Sequence, residues 1–190
     1  NLSNSLMTQA VEPIGENGID LRNYGEPVGI IEARKLGAEI LDSNVNLTIA
    51  GEQSSYLLMT QLLLGRYLFG LNDNPWKDEE EPAFLCAVPG FDRHFATLEG
   101  LNIKMHTVDL CSSGVNIEDL RDKLSKYPNI KGFICVPRHS NPSGEVFSDE
   151  NIIDLLKITK AHDPNFINLF DHAYLIHDFD ETQTQTPIPV

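Results

Sequence analysis

Four short segments carry the side chains that could do chemistry, and each follows an apolar run. Ala50-Gly51-Glu52-Gln53-Ser54-Ser55 places a glycine, an amide and two hydroxyls ahead of a long apolar stretch. A helix start offers free N–H groups and a positive dipole end, so Gly51, Gln53, Ser54 and Ser55 suit a phosphate. An ordinary helix cap would use the same residues, and the Gly-Lys-Ser/Thr of a Walker loop is absent. Pro89-Gly90-Phe91-Asp92-Arg93-His94-Phe95 puts Phe91 just past a tight turn. Its ring either faces a planar ligand or packs in the core. Arg93 and His94 suit orienting a helix or pairing with an acid better than catalysis. Pro137-Arg138-His139-Ser140-Asn141-Pro142-Ser143-Gly144 fixes a sharp backbone path that presents the Asn141 amide at a strand end. Phe170-Asp171-His172-Ala173-Tyr174 sets a carboxylate directly after an apolar strand, nearly buried. Burying it costs free energy unless a cation or donors meet it. A ligand cation would serve, and so would a helix N-cap or a nearby basic residue.

The elements that must position these loops alternate. Helical spacing covers Ile30–Leu41, Tyr56–Phe69 and Asp92–Glu99, the last closed by Gly100. Ile117–Lys126 is a helix behind an Asn116 cap, and a helix from Ser148 to Lys160 has Ser148 as its cap. Strands are expected at Val45–Ala50, Phe84–Val88, Ile103–Val108, Ile130–Val136 and Asn165–Phe170, and Asn72–Pro82 reads as an acidic loop. The pattern predicts an α/β fold, a mostly parallel sheet covered by helices on both faces, with ligands bound at the carboxyl ends of the strands. Residues 1–20 read as a connecting segment, 21–181 as a partial ligand-binding large domain, and 182–190 as an unstructured Thr/Gln/Pro-rich tail.

The 190 residues include 14 Lys and Arg against 28 Asp and Glu, a net charge of −14. Such a surface repels phosphate backbones and argues against nucleic acid or an anionic membrane as partner. No apolar run reaches membrane-spanning length. Cys86 and Cys135 sit in apolar strand-like runs, Cys111 is the third cysteine, and no Cys/His spacing suggests a metal. An odd count of cysteines favours a reducing, cytoplasmic setting.

In order and together, the four loops resemble fold-type I, pyridoxal-phosphate-dependent aminotransferases. Asn141-Pro142-Ser143-Gly144 is similar to the family's Asn-Pro-Thr/Ser-Gly, and Asp171-His172-Ala173-Tyr174 to its Asp-x-Ala-Tyr. Arg22-Asn23-Tyr24-Gly25, Gly29 and Glu32-Ala33-Arg34 resemble the segment ahead of its phosphate loop. Cys86 to Phe95 resembles a branch described as MocR-like or aspartate-aminotransferase-like. The resemblance implies that Asp171 pairs with the ring nitrogen of pyridoxal 5'-phosphate. It also implies that Asn141 and Tyr174 bond the ring's phenolic oxygen and that Phe91 stacks on the ring. Gln53, Ser54 and Ser55 would hold the phosphate, Gly51 would allow the close turn there, and Tyr24 would reach the phosphate of a partner subunit in a homodimer. Amino acid and 2-oxo acid would be the substrates, with aspartate as the branch's suggestion, and the Asn141–Pro142 bond is often cis in the family. Two departures stand out. Glu52 and Gln53 replace the small residues or Asn usual there. No lysine follows Lys160, so the lysine that holds the cofactor covalently is absent, and the chain is expected to be a fragment of a larger protein. Alternatives are the effector-sensing half of a transcription regulator and a non-catalytic fragment. A nucleotide-binding α/β domain is disfavoured for want of a GxGxxG or Walker loop.

Overall fold

The computed structural model describes residues 14–70 and 74–178. Most of the expected connecting segment, part of the acidic loop and the whole expected tail lie outside those residues. The described chain divides into two compact units, residues 14–52 and 53–178.

The first unit holds helix α1, Ile31–Ile40, which turns Ala38 inward. The strand expected at Val45–Ala50 does not form. Val45–Leu47 is a 3-10 turn, and Thr48–Ala50 runs on outside any strand ladder. The reason is local capture of the backbone. The Asn44 side chain accepts from the Asn46 N–H at 2.8 Å, and the Arg34 guanidinium donates to the carbonyls of Val45 and Thr48, each at 2.7 Å. Those groups are then taken by side chains rather than by a neighbouring strand. Ala50 is held instead by its N–H bond to the Val28 carbonyl at 2.9 Å. Gly29 makes that approach possible: its φ is 90°, and a β-carbon there would lie 2.0 Å from the Ala50 carbonyl oxygen.

The second unit is a five-stranded sheet with helices on both faces. Its strands are β1 (Ala83–Val88), β2 (Lys104–Cys111), β3 (Gly114–Val115), β4 (Ile130–Cys135) and β5 (Ile167–Phe170), in the spatial order β3-β2-β1-β4-β5. β2, β1, β4 and β5 pair in parallel, and β3 is antiparallel to β2. The helices are α2 (Ser55–Phe69), α3 (Asp92–Gly100), α4 (Ile117–Lys126) and α5 (Asp149–His162). The expected α/β architecture is therefore present.

Strand pleating sorts the core. Ala83, Leu85 and Ala87 of β1 turn to one face, where Leu120 and Leu124 of α4 and Leu155 of α5 cover them. Phe84 and Cys86 turn to the other face, against Leu63 of α2 and Leu98 of α3. A strand buried on both faces reads as one apolar run, as β1 does, and β4 departs from it only at Lys131. Asn116 and Ser148 cap α4 and α5 as expected. α3 takes in Gly100 as its last residue, and the left-handed turn after it belongs to Asn102, φ 55°. No helix among the described residues is long and apolar enough to cross a membrane.

β3 has no counterpart in the sequence reading. Two residues carry no periodicity, and the strand is held by a side chain from α5. Asn151, buried, accepts from the Val115 N–H at 2.9 Å and donates to the Val115 carbonyl at 2.8 Å, as a neighbouring strand would. Asn151→Ala leaves both groups buried and unpaired, so it is expected to cost about 2–4 kcal/mol of stability. Urea denaturation of the two proteins would measure it.

Candidate active site

The sheet reverses its order at β1, with β2 on one side and β4 on the other. The crevice outside the carboxyl ends of β1 and β4 is where open α/β sheets bind ligands. Ala87, Phe91, His94, Ile134 and Ser140 line a small, water-sized cavity beside it. Phe91, Asn141 and Asp171 lie on the segments leaving β1, β4 and β5, at this same edge of the sheet.

Asp171 is the most constrained of them. Its side chain is 12% exposed, and its Oδ2 lies 3.0 Å from Nε2 of His94, itself 3% exposed. Its Oδ1 accepts the Ala173 N–H at 3.0 Å, and the Ser55 hydroxyl is near enough to favour its charge. Burial pushes the carboxyl's pKa up. The bond and charge of His94, then the Ala173 bond and the nearby Ser55 hydroxyl, more than offset this and hold it below the ordinary value of 3.8. Asp171 is thus an ionised carboxylate at neutral pH, and its oxygens keep further lone pairs for another donor.

From sequence, His94 suits orienting a helix or pairing with an acid. Its fold role is the pairing, with an acid 77 residues away in the chain. The Phe91 ring is half-buried and packs edge-on against the His94 ring, centroids 5.3 Å apart. One contact chain thus links Phe91, His94 and Asp171.

A second pair adjoins it. The Asn141 amide nitrogen donates to the Tyr174 hydroxyl at 3.2 Å. The Asn141–Pro142 peptide is cis, as is Val88–Pro89. Asp171 and Tyr174 share one compact turn, in which the Leu175 N–H bonds the His172 carbonyl and the His177 N–H bonds that of Tyr174.

The phosphate-loop candidates are exposed. Ser54 caps α2 by accepting from the Leu57 N–H at 3.3 Å. The left-handed residue of the loop is Glu52, φ 60°, and a β-carbon on Gly51 would meet no protein atom. Gly51 and Tyr24 belong to the first unit, where the Tyr24 side chain is 96% exposed.

The cysteines lie outside this chemistry. Burial pushes the Cys86 thiol up to about 12 and the Cys135 thiol up as well, the Asp171 charge adding to the latter. Cys111 is exposed, and its hydrogen bonds with Ser113 draw its pKa down. A thiol reagent at pH 8 is therefore expected to label Cys111 rapidly in the folded protein, and Cys86 and Cys135 only on denaturation. Mass spectrometry of the labelled peptides checks the order.

A family model described as aspartate amino-transferase matches residues 1–188. The chain belongs to the aspartate aminotransferase family. An aspartate aminotransferase of Corynebacterium glutamicum is 36% identical over 163 residues, which are 85% of this chain and 37% of that protein. The solved structure of an aspartate transaminase from Corynebacterium glutamicum superposes with a TM-score of 0.82 at 32% identity, over 94% of this chain and 42% of that one. A Thermus thermophilus aspartate aminotransferase, 20% identical with a TM-score of 0.61, shares the fold. The chain thus spans about two fifths of the length of these members of the aspartate aminotransferase family.

The site's donor set fits the pyridoxal phosphate that this membership implies. A protonated ring nitrogen needs a buried anion, which Asp171 is. A phenolic oxygen needs donors, which the Asn141 amide and the Tyr174 hydroxyl are. The start of α2 offers N–H groups and serine hydroxyls to a phosphate.

Proposed function

We propose that this chain supplies the cofactor-binding core of a pyridoxal-phosphate-dependent aminotransferase that moves an amino group between an amino acid and a 2-oxo acid. The observation that carries the reading is the nearly buried, ionised Asp171 at the strand-end crevice, backed by His94. When bound, the cofactor's protonated ring draws electron density away from the substrate's α-carbon as its proton leaves. Asp171 keeps the proton on the ring nitrogen, and His94 keeps Asp171 ionised and aimed. Asn141 and Tyr174 orient the ring through its phenolic oxygen. Phe91 excludes water from one face of the ring.

Gly51, Gln53, Ser54 and Ser55 hold the phosphate. Tyr24, almost fully exposed, reaches the phosphate of a partner subunit in a homodimer. This reading requires a lysine to bind the cofactor, and none of the residues after Lys160 is one. Lys160, the last lysine here, is in the final turn of α5. That helix end leads into the start of β5, so it lies at the opposite edge of the sheet from Asp171. The proposal keeps a partial cofactor-binding large domain over 21–181, with residues 1–20 as a connecting segment and 182–190 as a tail. The name of the Corynebacterium glutamicum relative makes aspartate the first amino donor to try. Three free cysteines, two of them buried, accord with a reducing, cytoplasmic setting.

The complete protein, mixed with pyridoxal 5'-phosphate and then with aspartate and a 2-oxo acid, tests this reading. A visible absorbance band that changes on adding aspartate, with amino transfer to the oxo acid, is the expected result. A protein that takes up no cofactor and transfers no amino group would refute it.

A further inference from the structure

Asp178 carries a cluster that the proposed chemistry leaves without a role. Its carboxylate is 17% exposed, and each oxygen is taken by a different residue of the segment after β4. Arg138, whose side chain is 7% exposed, donates through Nη2 to Oδ2 at 2.6 Å. His139 donates through Nε2 to Oδ1 at 2.7 Å. The geometry joins the two segments that carry the ligand-facing groups. His139 lies two residues before Asn141, and Asp178 four residues after Tyr174. The His139 backbone is left-handed, φ 51°, a conformation that a non-glycine side chain keeps only where its surroundings hold it.

The Asn141–Tyr174 bond, neutral and 3.2 Å long, is a weak tie between these segments. A carboxylate gripped on both oxygens by basic side chains, with charge-assisted bonds and little solvent, is a strong and directional one. Burying such a group is seldom the cheapest route to stability, since apolar side chains of like volume commonly do as well. Its use here is geometric.

We propose that Asp178 is a positioning residue: clamped by Arg138 and His139, it sets the spacing between the post-β4 and post-β5 segments at which Asn141 and Tyr174 can reach one ligand oxygen together. The choice of ligand oxygen rests on the functional reading above, whereas the clamp itself does not.

The test compares the complete wild-type protein with Asp178→Asn, first free of cofactor and then titrated with pyridoxal 5'-phosphate. In the cofactor-free variant, the loop amides of Ser140, Leu175 and His177 are expected to exchange hydrogen about tenfold faster or more, and those of Leu85 and Phe133 in the sheet at the wild-type rate. The dissociation constant for the cofactor is expected to rise about tenfold. Should Asp178→Asn fold poorly, the pair Arg138→Met with Asp178→Leu removes both charges at similar volume, and the same loop-only signature is expected. Loop exchange at the wild-type rate overturns the clamp and leaves the functional reading standing. Equal acceleration in loops and sheet means a merely structural residue and overturns it too. A wild-type protein that takes up no cofactor overturns the functional reading, and the positioning role with it, because the spacing would then serve no such ligand.

Discussion

Asp171→Asn in the complete enzyme is expected to slow amino transfer by about 10²–10³-fold, the usual loss when one preorganised electrostatic group is removed from a reacting centre. The substitution keeps the shape and removes the charge. On the proposed reading, an amide would not hold a proton on the ring nitrogen as a carboxylate would, so electron withdrawal from the substrate would weaken while the pocket stays whole. The fall should lie in kcat more than in KM, because the charge matters most as the α-carbon loses its proton. Asp171→Glu would keep the charge but push the carboxylate past His94, so it should recover only part of the activity. Steady-state kinetics on the three proteins, with bound cofactor measured by absorbance, decides this. Wild-type kcat in Asp171→Asn would remove Asp171 from the chemistry.

His94→Leu is the second large effect, and it is expected without any cofactor. The change strips a nearly buried carboxylate of its main partner and leaves the Ala173 N–H and the Ser55 hydroxyl. Breaking a buried pair from one side costs about 3–5 kcal/mol. Replacing both partners, His94→Leu with Asp171→Leu, should return much of that, since no uncompensated charge is left behind. The pH dependence follows from the same balance. In the wild type the folded pKa of Asp171 lies below 3.8, so its stabilising contribution is complete above that value and is lost as pH falls through the folded pKa. In His94→Leu the raising effect of burial loses its chief opponent. The Asp171 pKa rises, so protonation relieves the stranded charge, and the variant's stability deficit should be largest near neutral pH and shrink as pH falls. Thermal melts between pH 3 and pH 7 would reveal the narrowing gap. A gap that stays constant with pH would mean that His94 does little for this carboxylate.

The sheet was legible because its strands read as apolar or alternating runs and its helices carry caps. Asn116 and Ser148 announce α4 and α5, and buried β1 is apolar over all six residues, with β4 interrupted only by Lys131. The four chemical loops were legible as well, because turn residues and polar groups cluster where those runs stop. What escaped depends on contacts far apart in the chain. His94 gains its meaning only from Asp171, and Asp178 only from Arg138 and His139. No local pattern encodes either meeting. Val45–Ala50 misled because β-branched residues outweighed Asn44 and Arg34, whose side chains claim the backbone groups a ladder would need. β3 was hidden because Asn151, on a helix, does the work of a strand neighbour.

A crystal structure of the complete protein grown with pyridoxal 5'-phosphate is the most direct measurement. A carboxylate oxygen of Asp171 should lie about 2.7–2.9 Å from the ring nitrogen, with His94 still on its other side. A cofactor whose ring nitrogen faces water or a different residue, with Asp171 bonded to His94 alone, would contradict the account.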